Sequence, residues 1–414
     1  MQPAFTNGIA MNAPAPHLPE AARPRDPRLD FFRGLGMFII LIAHIPYNSW
    51  TSWIPARFGF SDAADMFVFC SGMASAIAFG GVYARRGWWM GTVRILHRIW
   101  QVYWAHIGSF FVVVALLAAA DMYFGGDRYI KAVQLDYFFA SAPARILQTM
   151  TLTYLPPFFE ILPLYLFILA TIPVVMALER IDTRLVFVWM AGLWLLANVW
   201  KVNLPAQPDG ARNWFFDPLG WQIVFFSGFA LMRGWWPAPP RDGRLALVAL
   251  AVVALAMPFS CRSEFSCYQL WGYAPFVSQV QDWLGPVINK TEYGLLRYVH
   301  FMATVYLAWY MAGEHGRNLT GAVVDITRKV GQQTLAVFLT GLVAAQALGI
   351  VLDRIGRGPL TSALVNLSGM ATLIAAAYLT AWFKSSPWRQ YGRPEKPRAA
   401  TETRDVQRET VRTD

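Results

Sequence analysis

The stretch RLDFFRGLGMFIILIAH, Arg28 to His44, decides how this chain is to be read. A cationic anchor opens a long apolar segment that carries an imidazole far inward. Arg33 and His44 are eleven positions apart, roughly 16 Å along a helix axis at ~1.5 Å per residue. An ionisable group at that depth, in an apolar layer of ~30 Å, is expensive unless it lines a wet cavity or has partners. His44 is therefore the first candidate for membrane-embedded chemistry. Pro46 follows two residues later and removes a backbone donor. A kink beside His44 and Asn48 suggests a cavity; a core histidine bonded to a neighbouring helix is the plainer reading.

Working outward, the 414 residues are 56% hydrophobic and 14% charged, against about 25% charged in soluble domains. That shortfall points to an all-α, polytopic membrane protein. A window of ~19 residues predicts about ten transmembrane helices, over 34–53, 62–82, 97–120, 158–178, 185–200, 218–232, 245–260, 293–312, 332–352 and 361–383. Residues 1–27 are Pro/Ala-rich, lack the apolar core of a cleavable signal and read as a disordered tail. Residues 28–384 form the membrane domain, and 385–414 a charged tail. The net charge of +10 does not imply nucleic acid. Most lysines and arginines fall in alternate connections and the tails, the positive-inside pattern, which places both termini in the cytoplasm. The long connections 121–157 and 261–292 then face outward as caps. Cys261 and Cys267 bracket RSEFS within the second, and a disulfide there is one of two open readings.

The other ionisable groups fall into sets. Asp62 and Asp65 share a helix face at three-residue spacing. They either cap the helix and complement its dipole, or Asp65 accepts from His44 and sharpens it as a base. His106 lies at a depth comparable to His44, with Gln101 between it and His97. Arg33, Arg94 and Arg98 form an inner cationic vestibule suited to a phosphate-rich carrier, or serve only as positive-inside anchors. Glu160, Asp217, Trp221, Gln222, Arg297 and His300 gather toward the outer side, where a hydrophilic acceptor would enter; ion pairing among Glu160, Asp217 and Arg297 would equally serve structure alone. The tryptophans divide between interfacial belt and sugar stacking. No Walker loop, GxGxxG, GxSxG or HExxH occurs, and no metal or tightly bound cofactor is expected.

The segments RDPRLDFFRGLGMFIILIAHIP, GFSDAADMFVFCSG, HRIWQVYWAH, ILPLYL, DPLGWQIVFFSG, NKTEYGLLRYVHF and GQQTLAVFLTG resemble the OpgC family, membrane succinyltransferases of osmoregulated periplasmic glucans related to acyltransferase family 3. They span about 26–383 in family order. The Arg-x10-His pattern of acyltransferase family 3 falls on Arg33 and His44, and the carboxylate some relatives carry as glutamate is Asp65. The resemblance implies succinyl-CoA, or another acyl-CoA, as cytoplasmic donor substrate and periplasmic glucan as acceptor at the bacterial inner membrane. On that reading His44 is the general base, Asp65 orients it, and His106, Asn48 or Gln101 stabilises the thioester oxyanion. Arg33, Arg94, Arg98 and Gln101 hold the donor; Asn48, Asp62, Glu160, Trp221, Gln222, Arg297 and His300 meet the acceptor. Direct attack and a covalent acyl-histidine relay both remain open. The rivals are an acetyltransferase for another surface polysaccharide and a non-enzymatic transporter of acyl groups or glycans.

Overall fold

A computed structural model describes residues 26–209, 212–260 and 275–389. Cys261 and Cys267, and almost all of both tails, lie outside the described residues. What is described is built from helices: α1 (Pro27–His44), α2 (Ala63–Phe124), α3 (Arg128–Ala132), α4 (Asp136–Ala140), α5 (Ala142–Met150), α6 (Ile161–Ile181), α7 (Thr183–Asn198), α8 (Pro218–Arg233), α9 (Gly243–Ser260), α10 (Pro275–Ile288), α11 (Leu295–Ala312), α12 (Ala322–Gln332), α13 (Thr334–Ile355) and α14 (Pro359–Ser385). No strand occurs among the described residues.

Five of these helices, α2, α6, α9, α13 and α14, are long and apolar enough to cross a membrane, which makes this a membrane protein. The expected ten is not reached on length and composition, for local reasons. Helices α7 and α8 have 16 residues each, short of the ~20 that span a bilayer. Helix α1 carries Arg28, Asp30 and Arg33. The second and third expected spans are one helix of 62 residues. Unbroken, it would extend about 93 Å at ~1.5 Å per residue. Instead it bends at Gly87, whose φ of 81° is a conformation glycine adopts without steric penalty. Across the bend the Tyr83 hydroxyl lies 3.2 Å from Thr92 Oγ1 and the Tyr83 ring packs on Gly91. Side chains on a helix tilt toward its N-terminus, so these contacts require the second arm to turn back past the first.

Two close crossings tie the bundle together. A Cβ on Gly34 would strike the Thr327 carbonyl, and one on Gly331 the Asp30 carbonyl, so α1 and α12 touch backbone to backbone. Gly72 and Gly228 do the same for α2 and α8, against the carbonyls of Phe225 and Phe69. Small residues are how helices approach closely where lipid removes the hydrophobic drive between them. Around these crossings lies the main core, including Met37, Leu41, Leu169, Phe225 and Val337. A second cluster, with Phe110, Leu135, Tyr154 and Phe159, sits beneath α3 to α5. The connection 121–157 is thus folded onto the second arm of α2.

Helix α12 is absent from the sequence expectation because AVVDITRKVGQ is amphipathic and not continuously apolar. The first expected span also ends early. Ile45, preceding Pro46, is extended (φ −69°, ψ 116°), as residues before proline tend to be. His44 therefore closes α1 and does not sit mid-helix beside a kink.

Candidate functional site

His44 occupies the last turn of α1. Its Nδ1 lies 2.7 Å from the Ile40 carbonyl oxygen. A carbonyl only accepts, so Nδ1 donates the proton and Nε2 is the basic nitrogen. The ring is partly exposed and borders a small apolar cavity of about 10 Å³ shared with Phe338, Gly341 and Leu342 of α13, about the room of one water molecule. Its edge meets the ring of Phe158 at 5.8 Å. The next residue, Phe159, meets His106 in the same way at 6.5 Å. One Phe-Phe step thus separates the two imidazoles, and Phe158 holds its place with φ 70°, outside the region that bulky residues prefer. His106 is buried, and its Nε2 has no hydrogen-bond partner.

Asp65 does not orient His44. It lies a short way into α2, fully buried, and its oxygens are spent elsewhere. Oδ1 accepts from the Tyr293 hydroxyl at 2.5 Å and from Arg297 Nε at 3.1 Å; Oδ2 accepts from Arg297 Nη2 at 2.5 Å and from the Asp62 N–H at 2.8 Å. Asp62 caps the same helix through the Ala64 N–H at 2.8 Å and pairs with Lys290 Nζ at 2.5 Å. The helix-capping reading of this acidic pair is the one the geometry realises. The orienting partner of His44 is a backbone carbonyl one turn earlier.

The expected acceptor residues are bonded mostly to the protein itself, in separate groups, with Gln222 Oε1 and His300 Nε2 buried and without a partner. Asn48 and Asn366 exchange amide hydrogen bonds at 2.8 and 2.9 Å, which pins the turn after α1 to α14. Glu160 accepts from the Phe215 N–H at 2.5 Å and from Arg212, closing the connection before α8. Burial outweighs these donors and holds its carboxyl above the usual range. Arg297 also donates to the Phe60 carbonyl. Trp221 donates to the Lys290 carbonyl at 2.8 Å and packs on Tyr293, while Gln222 donates to the Met190 carbonyl at 2.8 Å. His300 Nδ1 pairs with Ser61 Oγ at 2.8 Å. The expected pairing of Glu160, Asp217 and Arg297 does not form; Asp217 caps α8 through the Leu219 N–H at 2.9 Å. Burial, against that N–H and with the Glu292 carboxylate nearby, pushes its carboxyl up to about 7.

The donor set is scattered. Arg33 is partly buried on α1. Arg94 is exposed on the second arm of α2. Arg98 donates to Gln101 at 3.3 Å, and Gln101 reaches His97 at 3.0 Å, along the helix's own surface. Tyr293, which completes the Asp65 network, is a residue sequence reasoning missed. The sequence offered little signal for it, because Tyr293 lies in the turn before α11, with φ 62°, and not on the helix that carries Arg297.

Residues 25–385 match the OpgC protein family. The chain belongs to the OpgC family. No curated protein and no solved structure matches it. Membership of the OpgC family, together with the apolar helices, supports a membrane-embedded transferase that modifies glucans.

Proposed function

We propose that this OpgC protein transfers a succinyl group from succinyl-CoA to a hydroxyl of a periplasmic glucan, with His44 as general base. The observation carrying the reading is the tautomer of His44: with Nδ1–H held by the Ile40 carbonyl, Nε2 is left with a lone pair on a residue that lines the small cavity between α1 and α13. Nε2 takes the proton of a sugar hydroxyl as its oxygen attacks the thioester carbonyl carbon. The tetrahedral intermediate collapses, the carbon–sulfur bond breaks, and the departing thiolate recovers the proton from the imidazolium. The products are a sugar ester and free CoA.

Of the oxyanion donors considered, Asn48 is bound to Asn366 and Gln101 lies exposed on the α2 surface. That leaves His106, whose Nε2 is unpartnered, as the group to meet the developing charge. Arg33, with Arg94 and Arg98, is assigned to the donor's phosphates at the cytoplasmic mouth. Both termini then lie in the cytoplasm of a cell with an inner membrane.

The test is direct. Purified protein given succinyl-CoA and glucan should release CoA thiol in step with a succinyl mass gain on the glucan. Glycan or acyl-group uptake into vesicles without thiol release would instead establish transport. Acetyl-CoA used in preference to succinyl-CoA would move the assignment to acetyl transfer.

A further inference from the structure

A cavity of about 360 Å³ opens between the turn after α1, helix α3 and helix α13, within the ~300–1,000 Å³ of ligand pockets. It shares one face of α13 with the small cavity at His44. Phe338, Gly341 and Leu342 line the small one; Gln346, Gly349, Ile350 and Asp353 line the large one. Steps of three and four residues place these side chains in one row. Tyr47 in its wall is three residues from His44, so their Cα atoms are within about 11 Å at ~3.8 Å per step.

The wall is a built arrangement. Asp353 Oδ1 accepts from Arg128 Nη2 at 2.6 Å and Arg357 Nη2 at 2.8 Å, and Oδ2 from the Tyr129 hydroxyl at 3.3 Å. Arg357 Nη1 donates to the carbonyls of Pro46 at 3.0 Å and Tyr47 at 3.3 Å, and its guanidinium lies 5.3 Å from the Tyr47 ring centroid. Tyr47 itself has φ 55° and is 75% exposed. An aromatic ring in a sparsely populated backbone conformation, turned outward and held by an arginine, is an uneconomical arrangement unless the ring has a use.

We propose that this cleft seats a neutral sugar ring of the acceptor, stacked on Tyr47, with its hydroxyls on the Asp353–Arg357 pair. The proposal rests on the acyl-transfer reading and names where that reaction's acceptor enters. The pairing of the wall's charges favours a polyol. Lys131 is paired with Asp127 at 2.5 Å, and Arg128 and Arg357 share Asp353, so every cation in the wall touches a carboxylate and one positive charge is left over. Paired charges present donors and acceptors side by side, which suits vicinal hydroxyls. A sugar seated here extends along the α13 row toward His44.

Binding of a gluco-disaccharide, and separately of succinate, to the purified full-length protein tests this by titration calorimetry. Tyr47→Ala should weaken disaccharide binding about tenfold and raise the glycan KM similarly, with kcat and the donor KM unchanged. Tyr47→Trp should restore both, and Asp353→Asn should weaken the sugar alone. The exposed Tyr47 ring can be removed without opening the core, so this variant stays informative if Asp353→Asn folds poorly. Wild-type disaccharide affinity in Tyr47→Ala, absence of disaccharide binding to the wild type, or succinate as the tighter ligand would each overturn the proposal. Thiol release with unaltered glycan KM in Tyr47→Ala would sink the cleft and leave acyl transfer standing. Tyr47-dependent sugar binding without thiol release would do the reverse.

Discussion

Two polar centres in this protein look alike in sequence and differ in what their atoms have left to do. Around Asp65, both carboxylate oxygens are filled by Tyr293, Arg297 and the Asp62 N–H. His44 makes one described hydrogen bond, through Nδ1, and nearby His106 keeps a buried nitrogen without a partner. Buried charge that is fully bonded holds a structure together. Polar atoms with capacity to spare, beside a cavity, are where a substrate can make new bonds. On the proposed mechanism, the comparison separates residues that build the bundle from residues that act on substrate.

The largest expected effect lies in the filled centre. Arg297→Ala leaves Asp65 charged and buried, and should cost about 3–5 kcal/mol, read as lost thermal stability or lost folded protein in detergent. Retention of the wild-type melting temperature would erase the distinction between the two centres. Next, Gly331→Ala forces a methyl against the Asp30 carbonyl. Overpacking of that kind costs about 1–3 kcal/mol, and a matching drop in melting temperature is expected. Lys290→Met sharpens the comparison from the other side. Lys290 is about a third exposed, so losing its pairing with Asp62 should cost no more than about 1 kcal/mol, measurable in the same unfolding assay.

A fourth expectation is a pH slope. The Asp217 carboxyl, raised by burial to about 7, keeps its proton in the folded chain where the unfolded chain has lost it. Between the ordinary carboxylate range and pH 7 the folded state therefore binds more protons, and stability falls as pH rises through that window, then levels off. Asp217→Asn should flatten this slope in melting curves taken from pH 4 to 8; an unchanged slope would place its origin elsewhere.

Much of the fold was legible. The apolar runs located most helices to within a few residues, because length and hydropathy are local properties. Three features were not. The bend at Gly87 depends on one glycine's φ inside a run that reads as helix and loop alike. Helix α12 is amphipathic and is held by a backbone contact from Gly331, which no apolar window detects. The early end of α1 was foreshadowed by Pro46, yet proline permits either a kink or a stop. At the site, residue types were readable and partners were not. Asp62 and Asp65 stand three apart, as a capping pair or a catalytic carboxylate would, and only Tyr293 and Arg297, more than 200 residues away, decide between them. The Asn48–Asn366 pair and the Tyr47–Asp353–Arg357 wall are likewise products of distant segments meeting.

The most direct trial sets His44→Ala beside Tyr293→Phe in a CoA thiol-release assay with turnover expressed per folded molecule. A general base contributes about 10²- to 10⁴-fold, so His44→Ala should lose that much with its melting temperature intact. Tyr293→Phe should melt earlier, by the loss of a bond to a buried carboxylate worth about 1.5–3 kcal/mol, yet turn over as the wild type does. Full turnover in His44→Ala, with the loss appearing in Tyr293→Phe instead, would contradict the account.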